Sequence, residues 1–343
     1  EEAISLCRQK RFHEALEKCR YTSLDDEEEY SIDVIQPEKI EFKQNSYEDG
    51  ENSIISFPEF LLLVLDVCTG GEQPASHYQP DKLIEKFDAL KTYFTAGEFY
   101  EKMLYYRLLL DYYTIRRDIK DGQGNYSLIL KGPKDDSDKL KQYQSMLYVS
   151  TEAFYNWLKP YLRKLEQDEL HSCAEMLAFL KKGDNERHSI LPARKDLSYK
   201  ASGNIRYWFW RLDYYLWEQR STFFNEEEQK IVEHYVFRRN RSIEHLHPQD
   251  ESHNEEWEEE AVHSFGNLAM ISQSFNSQQS NDHIQIKFAR IHEQISNKSL
   301  QSIKMFLMCK LADFNYQNWT MKLAKEHENE MIEFLERSFY ISD

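Results

Sequence analysis

Glycine and proline are scarce in this chain, ten and eight among 343 residues. Few turn formers between long periodic apolar segments argue against a sandwich or barrel and for a mainly α protein. Cysteine is thinly spread: Cys7, Cys19, Cys68, Cys173 and Cys309 include no C-x-x-C pair, which argues against a zinc ribbon. An odd number of thiols suits a reducing cytosol, so a cytoplasmic location is expected. Long hydrophobic runs are missing too. The most apolar, Phe60–Val67, is too short to span a bilayer and contains Asp66, so no membrane partner is expected. Positive charge is in deficit, with a net charge of −17. That argues against general adhesion to nucleic acid, and any phosphate binding must be local. The acids crowd into Asp25–Glu29 and Asp250–Glu260, which read as solvated loops. The sequence opens at Glu1, in mid-pattern and without Met, as expected where an N-terminal region has been removed.

What is present is abundant aromatic and aliphatic material in helical spacing. The length favours two domains: a helical support domain over 1–167, and a helical domain over 168–343 holding a small strand–strand–helix core at about 238–296. Ser56-Phe-Pro58-Glu59 is a helix start, with Ser56 as cap and Glu59 closing a capping box. Helices are expected over 1–18, 81–95, 98–120, 136–149 and 151–165, the last interrupted by Pro160. Short strands are expected near 39–43 and 126–130. Farther on, helices are expected over 169–182, 203–220, 226–235, 300–310 and 315–339, with 184–202 irregular. Ile205, Trp208, Phe209, Leu212 and Leu216 form one stripe that reads as core.

The chemistry collects between Arg238 and Lys287. Ser-Ile-Glu244-His245-Leu-His247-Pro248-Gln forms one short apolar stretch. After an acidic insertion comes Phe-Gly266-Asn267-Leu-Ala-Met-Ile-Ser, then Asn276, then a polar helix with Lys287. Phosphodiester hydrolysis needs an activated water, a cation for the transition-state charge, and donors for the phosphate. A histidine near neutrality suits the base. A carboxylate and an amide carbonyl suit a hard cation such as Mg²⁺, or Mn²⁺ in its place. Arg238, Arg239 and Arg241 make a basic island in an acidic chain, as a phosphate-gripping rim requires. Gly266 is expected to serve backbone conformation or close approach. Trp257 and Phe265 are expected to anchor the insertion. His253 and His263 read as members of the solvated acidic loop, and His247 as a hydrogen-bond partner or a packing residue beside Pro248.

The ordered set Glu-His-Leu-His-Pro-Gln, Phe-Gly-Asn-Leu-Ala-Met-Ile-Ser, Asn276, Ser280-Asn281 and Lys287 resembles the C-terminal HNH-type nuclease domain of GmrSD-like restriction proteins, which are modification-dependent, type IV and phage-defence systems. The resemblance covers most of 169–339, and the preceding helical half is similar to the middle region of the same proteins. It implies a ββα-metal fold and a divalent-metal-dependent DNA endonuclease. His245 falls at the general base, Glu244 at the metal-binding acid, and Asn267 at the central asparagine that orients the base or steadies the fold. Asn276 falls at the third position, a metal ligand on the helix. Lys287 falls on a recurrent lysine, with phosphate contact and structure both open.

Three departures stand out. The acid is Glu rather than Asp, Asn276 replaces a histidine, and the interval from His245 to Asn267 is enlarged. Adjacent strand residues also point to opposite faces, so Glu244 and His245 share a site only at a strand end, twist or bulge. Relatives carry an N-terminal nucleotide-dependent module with an Asp-Gly-Gln motif. Asp121-Gly122-Gln123 lacks the following basic residue and sits in a turn, so that module is expected to be absent. The alternatives are a catalytically inactive helical interaction module and an RNase. The apolar helices leave room for a homo-oligomer.

Overall fold

The computed structural model describes residues 1–19, 50–119, 126–134, 137–150, 153–203, 205–238, 241–249, 257–272 and 284–340. The chain is mainly helical and divides into two compact units. One comprises Glu1–Asp135 and Phe154–His171, the other Asp136–Ala153 and Ser172–Asp343. The strand expected near 39–43 and the Asp121-Gly-Gln turn lie outside the described residues.

In the first unit, α1 (Glu2–Arg8) and α2 (Phe12–Cys19) precede β1 (Gly50–Ser53). Helix α3 (Phe57–Cys68) begins as expected: Ser56 accepts from the Glu59 amide, and Glu59 reaches back to the Ser56 amide. Its buried face includes Phe60, Leu62, Leu63, Val64 and Leu65. Asp66 is buried with them and accepts from Lys159 Nζ at 3.0 Å and the Gln73 amide at 2.8 Å. Burying a carboxylate needs such partners. Helices α4 (Leu83–Leu90) and α5 (Ala96–Tyr113) follow, the latter opened by a Thr95–Glu98 capping box.

The helix expected to run to Lys120 stops at Tyr113. Thr114 turns extended, with its hydroxyl donating to Leu110 O at 2.5 Å. The next residues form β2 (Arg116–Ile119), paired antiparallel with β1 and with β3 (Tyr126–Ile129). The β-branched Thr-Ile pair outweighs the helical periodicity that runs into it. Helix α7 (Phe154–Glu166), with Pro160 inside it, packs against α5.

In the second unit, α6 (Ser137–Val149) packs on α8 (Cys173–Arg187) and α9 (Arg206–Glu218). Helix α9 is the centre: every residue from Tyr207 to Trp217 is buried, so the expected stripe is in fact a wholly enclosed helix. Helices α10 (Arg220–Phe223) and α11 (Glu226–Glu233) lead to β4 (Arg241–His245). Then come α12 (Glu259–Val262), β5 (Leu268–Ser272), α13 (Ile284–Ser296), α14 (Ile303–Leu311) and α15 (Met321–Arg337).

The stretch 184–202, expected to be irregular, carries α8 on to Arg187. Its polarity belongs to the core. Asp184 is fully buried and accepts from Tyr143 OH at 2.7 Å, Tyr207 OH at 2.8 Å and Arg211 Nη1 at 3.2 Å. A sequence scan takes such polar residues for loop because their partners are distant in the chain.

Candidate active site

Strands β4 and β5 pair antiparallel with Glu244 opposite Ala269 and His245 opposite Leu268, so His245 closes the ladder. Ile243 sits opposite Met270, and β5 is apolar throughout its described side chains. That places the hairpin against α9 and α14. Among the described residues the order is β4, the short helix α12, β5 and then α13, which carries Lys287.

His245 is buried, 4% exposed. Gln249 approaches Nδ1 with its amide nitrogen at 3.0 Å, and His263 Nδ1 lies 3.1 Å from Nε2. Both ring nitrogens of His245 are thus engaged, Nδ1 by the Gln249 side-chain amide and Nε2 by His263. The Tyr199 ring meets His245 edge-on at 4.6 Å and stacks on His263. Burial first, then the neighbouring His263 and Lys287, pull His245 down to about 3. It is therefore a neutral imidazole near pH 7.

Glu244 turns to a different neighbour, as strand alternation requires. Its Oε1 lies 2.5 Å from Lys287 Nζ, and the same ammonium donates to His245 O at 2.6 Å. Lys287 thus joins the side chain of one residue to the backbone of the next.

Asn267 is fully buried, and its amide is spent on the fold. Oδ1 accepts from the His247 amide at 2.8 Å and Trp319 Nε1 at 3.2 Å. Nδ2 donates to His247 O at 3.0 Å and Val262 O at 2.9 Å. It clamps the turn leaving β4 to the start of β5. His247 stacks flat on Trp257, with centroids 4.0 Å apart. Phe265 is enclosed and stacks on Phe209. Gly266 serves close approach: a Cβ there would meet Ala324 O of α15 at 2.1 Å. Beneath this turn, the buried Lys304 ammonium donates to Phe265 O at 2.8 Å and Leu268 O at 2.7 Å. Burial pulls Lys304 down to about 7.

The residues proposed from sequence therefore divide. Glu244 and Lys287 pair beside the backbone of His245, whose imidazole turns instead to Tyr199, Gln249 and His263, while Asn267, His247 and Gly266 build the turn beside it. Arg238 is exposed just before β4. Arg239, Asn276 and His253 lie outside the described residues, as does the side chain of Arg241. His263, expected in a solvated loop, is instead buried against His245. Tyr199 and Gln249 were passed over as well. Gln249 stood within the quoted motif, four residues from His245, but Tyr199 gave no local signal because its contact spans 46 residues of chain.

Among the described residues, no cluster of three or more His, Cys, Asp or Glu is placed to hold a metal. The oxygen donors at the strand end are nevertheless of the kind a hard cation takes, and the chain lodges a cation of its own, the Lys287 ammonium, on two of them. Two surface concavities, of about 530 Å³ around Arg8 and Glu166 and about 690 Å³ beside Ala178 and Phe339, are lined by other residues.

Residues 185–334 match the family described as GmrSD restriction endonucleases, C-terminal domain. No curated protein and no solved structure matches the chain. No helix among the described residues is long and apolar enough to cross a membrane.

Proposed function

From the match of residues 185–334 to the C-terminal domain of GmrSD restriction endonucleases, we propose that this chain is a divalent-metal-dependent DNA endonuclease of a restriction and phage-defence protein. The end of β4 is its active site and His245 its general base. The observation that carries the reading is the place of His245: a buried, neutral imidazole at the end of β4, with the Gln249 amide on Nδ1 and His263 on Nε2.

His245 would take the proton of the attacking water on Nδ1 once the Gln249 amide moves aside. The imidazolium so formed keeps its Nε2 proton directed at His263 Nδ1, which holds the ring in place as the charge develops. Burial makes the free ring a weak base, but an anionic phosphate beside it raises its affinity for the proton. Asn267 is a positioning residue. It holds the turn that follows the base and leaves its amide no further bond to give. Glu244 and Asn276 would hold Mg²⁺ or Mn²⁺, with water completing the shell. The ion, when bound, supplies positive charge to the phosphate oxygens. Arg238, Arg239 and Arg241 would grip the DNA backbone, and modified DNA is the proposed substrate.

Supercoiled plasmid provides the test. The 343-residue chain should nick it in Mg²⁺ or Mn²⁺, remain inactive in EDTA, and lose activity as Asn276→Ala or Glu244→Gln. Nicking in EDTA, or wild-type rates from both variants, would dismiss the metal assignment. RNA assayed in parallel separates the RNase reading. The alternative, an inactive interaction module, draws support from the ion pair that occupies Glu244, and a wild-type chain without cleavage under any of these conditions would favour it.

A further inference from the structure

We infer that Tyr199 and the exposed cations around it form a DNA-contacting platform of the candidate site. The Tyr199 ring stacks on a nucleobase beside the phosphate that His245 serves, and Lys200 takes a neighbouring phosphate. The inference deepens the proposed nuclease reading and rests on it for the identity of the nucleic acid.

The segment before α9 is built to hold a ring in place. Arg194–Leu197 forms a turn of 3₁₀ helix, and Leu197 is fully buried. The next two residues are tied to one carbonyl: the Ser198 hydroxyl and the Tyr199 amide each donate to His263 O at 3.0 Å. His263 is the residue that faces His245 Nε2. The backbone of Tyr199 is thereby fixed to the site. Its ring lies edge-on to the His245 imidazole at 4.6 Å and stacked on His263 at 5.8 Å.

Yet the ring is not enclosed. Tyr199 is 44% exposed, while the two imidazoles it touches are 4% and 8% exposed. Among the described residues it is the exposed aromatic in ring contact with both. A tyrosine that serves packing alone hides its ring. This one presents flat apolar surface to solvent beside the proposed base, the kind of surface on which bases stack. Because the fold already fixes it, little freedom is lost when a ligand lands there.

The charge nearby in the chain has the sign DNA requires. Between 194 and 206 stand Arg194, Lys195, Lys200 and Arg206 against the single acid Asp196, in a chain of net charge −17. All four cations are exposed. Lys200 pairs with Glu259, but both side chains lie open to water, and such a pair holds its lysine weakly. A phosphate can therefore draw the ammonium away.

The test reads binding in EDTA, which keeps the DNA intact. Affinity for a fluorescein-labelled single-stranded DNA oligonucleotide is measured by anisotropy for wild type, Tyr199→Phe, Tyr199→Leu and Lys200→Gln. Tyr199→Leu keeps apolar bulk against His245 but lacks the flat ring. It should bind about fivefold or more weakly, the lower end for one stacked base, with its Tm unchanged. Tyr199→Phe should bind as wild type does. Lys200→Gln should reduce the salt slope of binding by about one contact. Tyr199→Trp gives a direct reading, because the six native tryptophans are all buried. Its emission should be quenched by DNA. Should Tyr199→Leu unfold, this variant decides alone. Wild-type affinity in folded Tyr199→Leu, or Tyr199→Trp emission unmoved by saturating DNA, overturns the inference. Tighter binding of an RNA oligonucleotide than of DNA overturns the DNA assignment. Nicking by the wild type alongside an unmoved emission fails the platform and keeps the nuclease reading. Quenching by DNA without nicking fails the cleavage reading and leaves the platform as a DNA-binding surface.

Discussion

Two buried lysine–glutamate pairs in the second unit invite comparison. Lys181 and Glu218 join α8 to α9 at 3.0 Å; Glu218 also accepts from Tyr214 OH at 2.9 Å, and tyrosine rings flank the ammonium. Lys287 and Glu244 join α13 to β4, and the ammonium's second partner is the last carbonyl of the strand. In the helical core, charge is met by side chains, which fix how helices pack. At the hairpin, charge is met by backbone, which fixes where the proposed base sits. The same ionic chemistry specifies packing in one region and the placement of a reacting group in the other.

The sharpest break of this comparison is in the core. Arg211→Met strips Asp184 of its enclosed guanidinium, and Lys181→Met strips Glu218 of its ammonium. Each should cost about 3–5 kcal/mol in urea unfolding, since a buried carboxylate loses its enclosed cation, with Arg187 at 3.6 Å left as the remaining cation at Asp184. A near-neutral Lys181→Met would mean that Glu218 does not depend on its ammonium and would erase the distinction drawn here. Gly266→Ala comes next. Its methyl must enter the backbone of α15, so a loss of about 1–3 kcal/mol is expected by the same measurement, and a neutral outcome would mean the turn and α15 can move apart.

A pH series sharpens the contrast from another side. His327 is 1% exposed, neither ring nitrogen has a hydrogen-bond partner among the described residues, and burial, then Lys304, hold it well below 6.5. The unfolded chain therefore binds more protons than the folded one below about pH 6.5, and stability falls as pH drops. His327→Leu should flatten that slope by up to about 1.4 kcal/mol per pH unit, read as Tm at successive pH values. An unaltered slope would assign the acid sensitivity elsewhere. His263→Ala should have the smallest effect. Losing one neutral hydrogen bond to His245 should slow nicking by about tenfold or less, near 1 kcal/mol, with plasmid affinity unchanged. No change in rate would leave His263 without a part in positioning the base.

How much was legible in the sequence depends on how local the signal is. The α3 capping box, the Tyr126 strand and the order of β4, β5 and α13 were readable from neighbouring residues. The end of α5 was not, because Tyr113 continues the helical period and only the following β-branched pair and the sheet divert the chain. The extension of α8 was missed because Asp184 looks like loop until Arg211 and its tyrosines surround it. At the candidate site, the residue types were legible and their pairings were not. Lys287 meets Glu244 across 43 positions and His263 meets His245 across 18. An acidic composition around His263 said solvent where the fold says contact.

The measurement that bears most directly on the site is nicking of supercoiled plasmid in Mg²⁺ by His245→Ala, beside its unfolding curve. The expected result is a fall of about 10²–10⁴-fold in rate, the range for a lost general base, with a cooperative unfolding transition retained. Wild-type cleavage by the folded His245→Ala chain would contradict the assignment of the base and move the active site away from the end of β4.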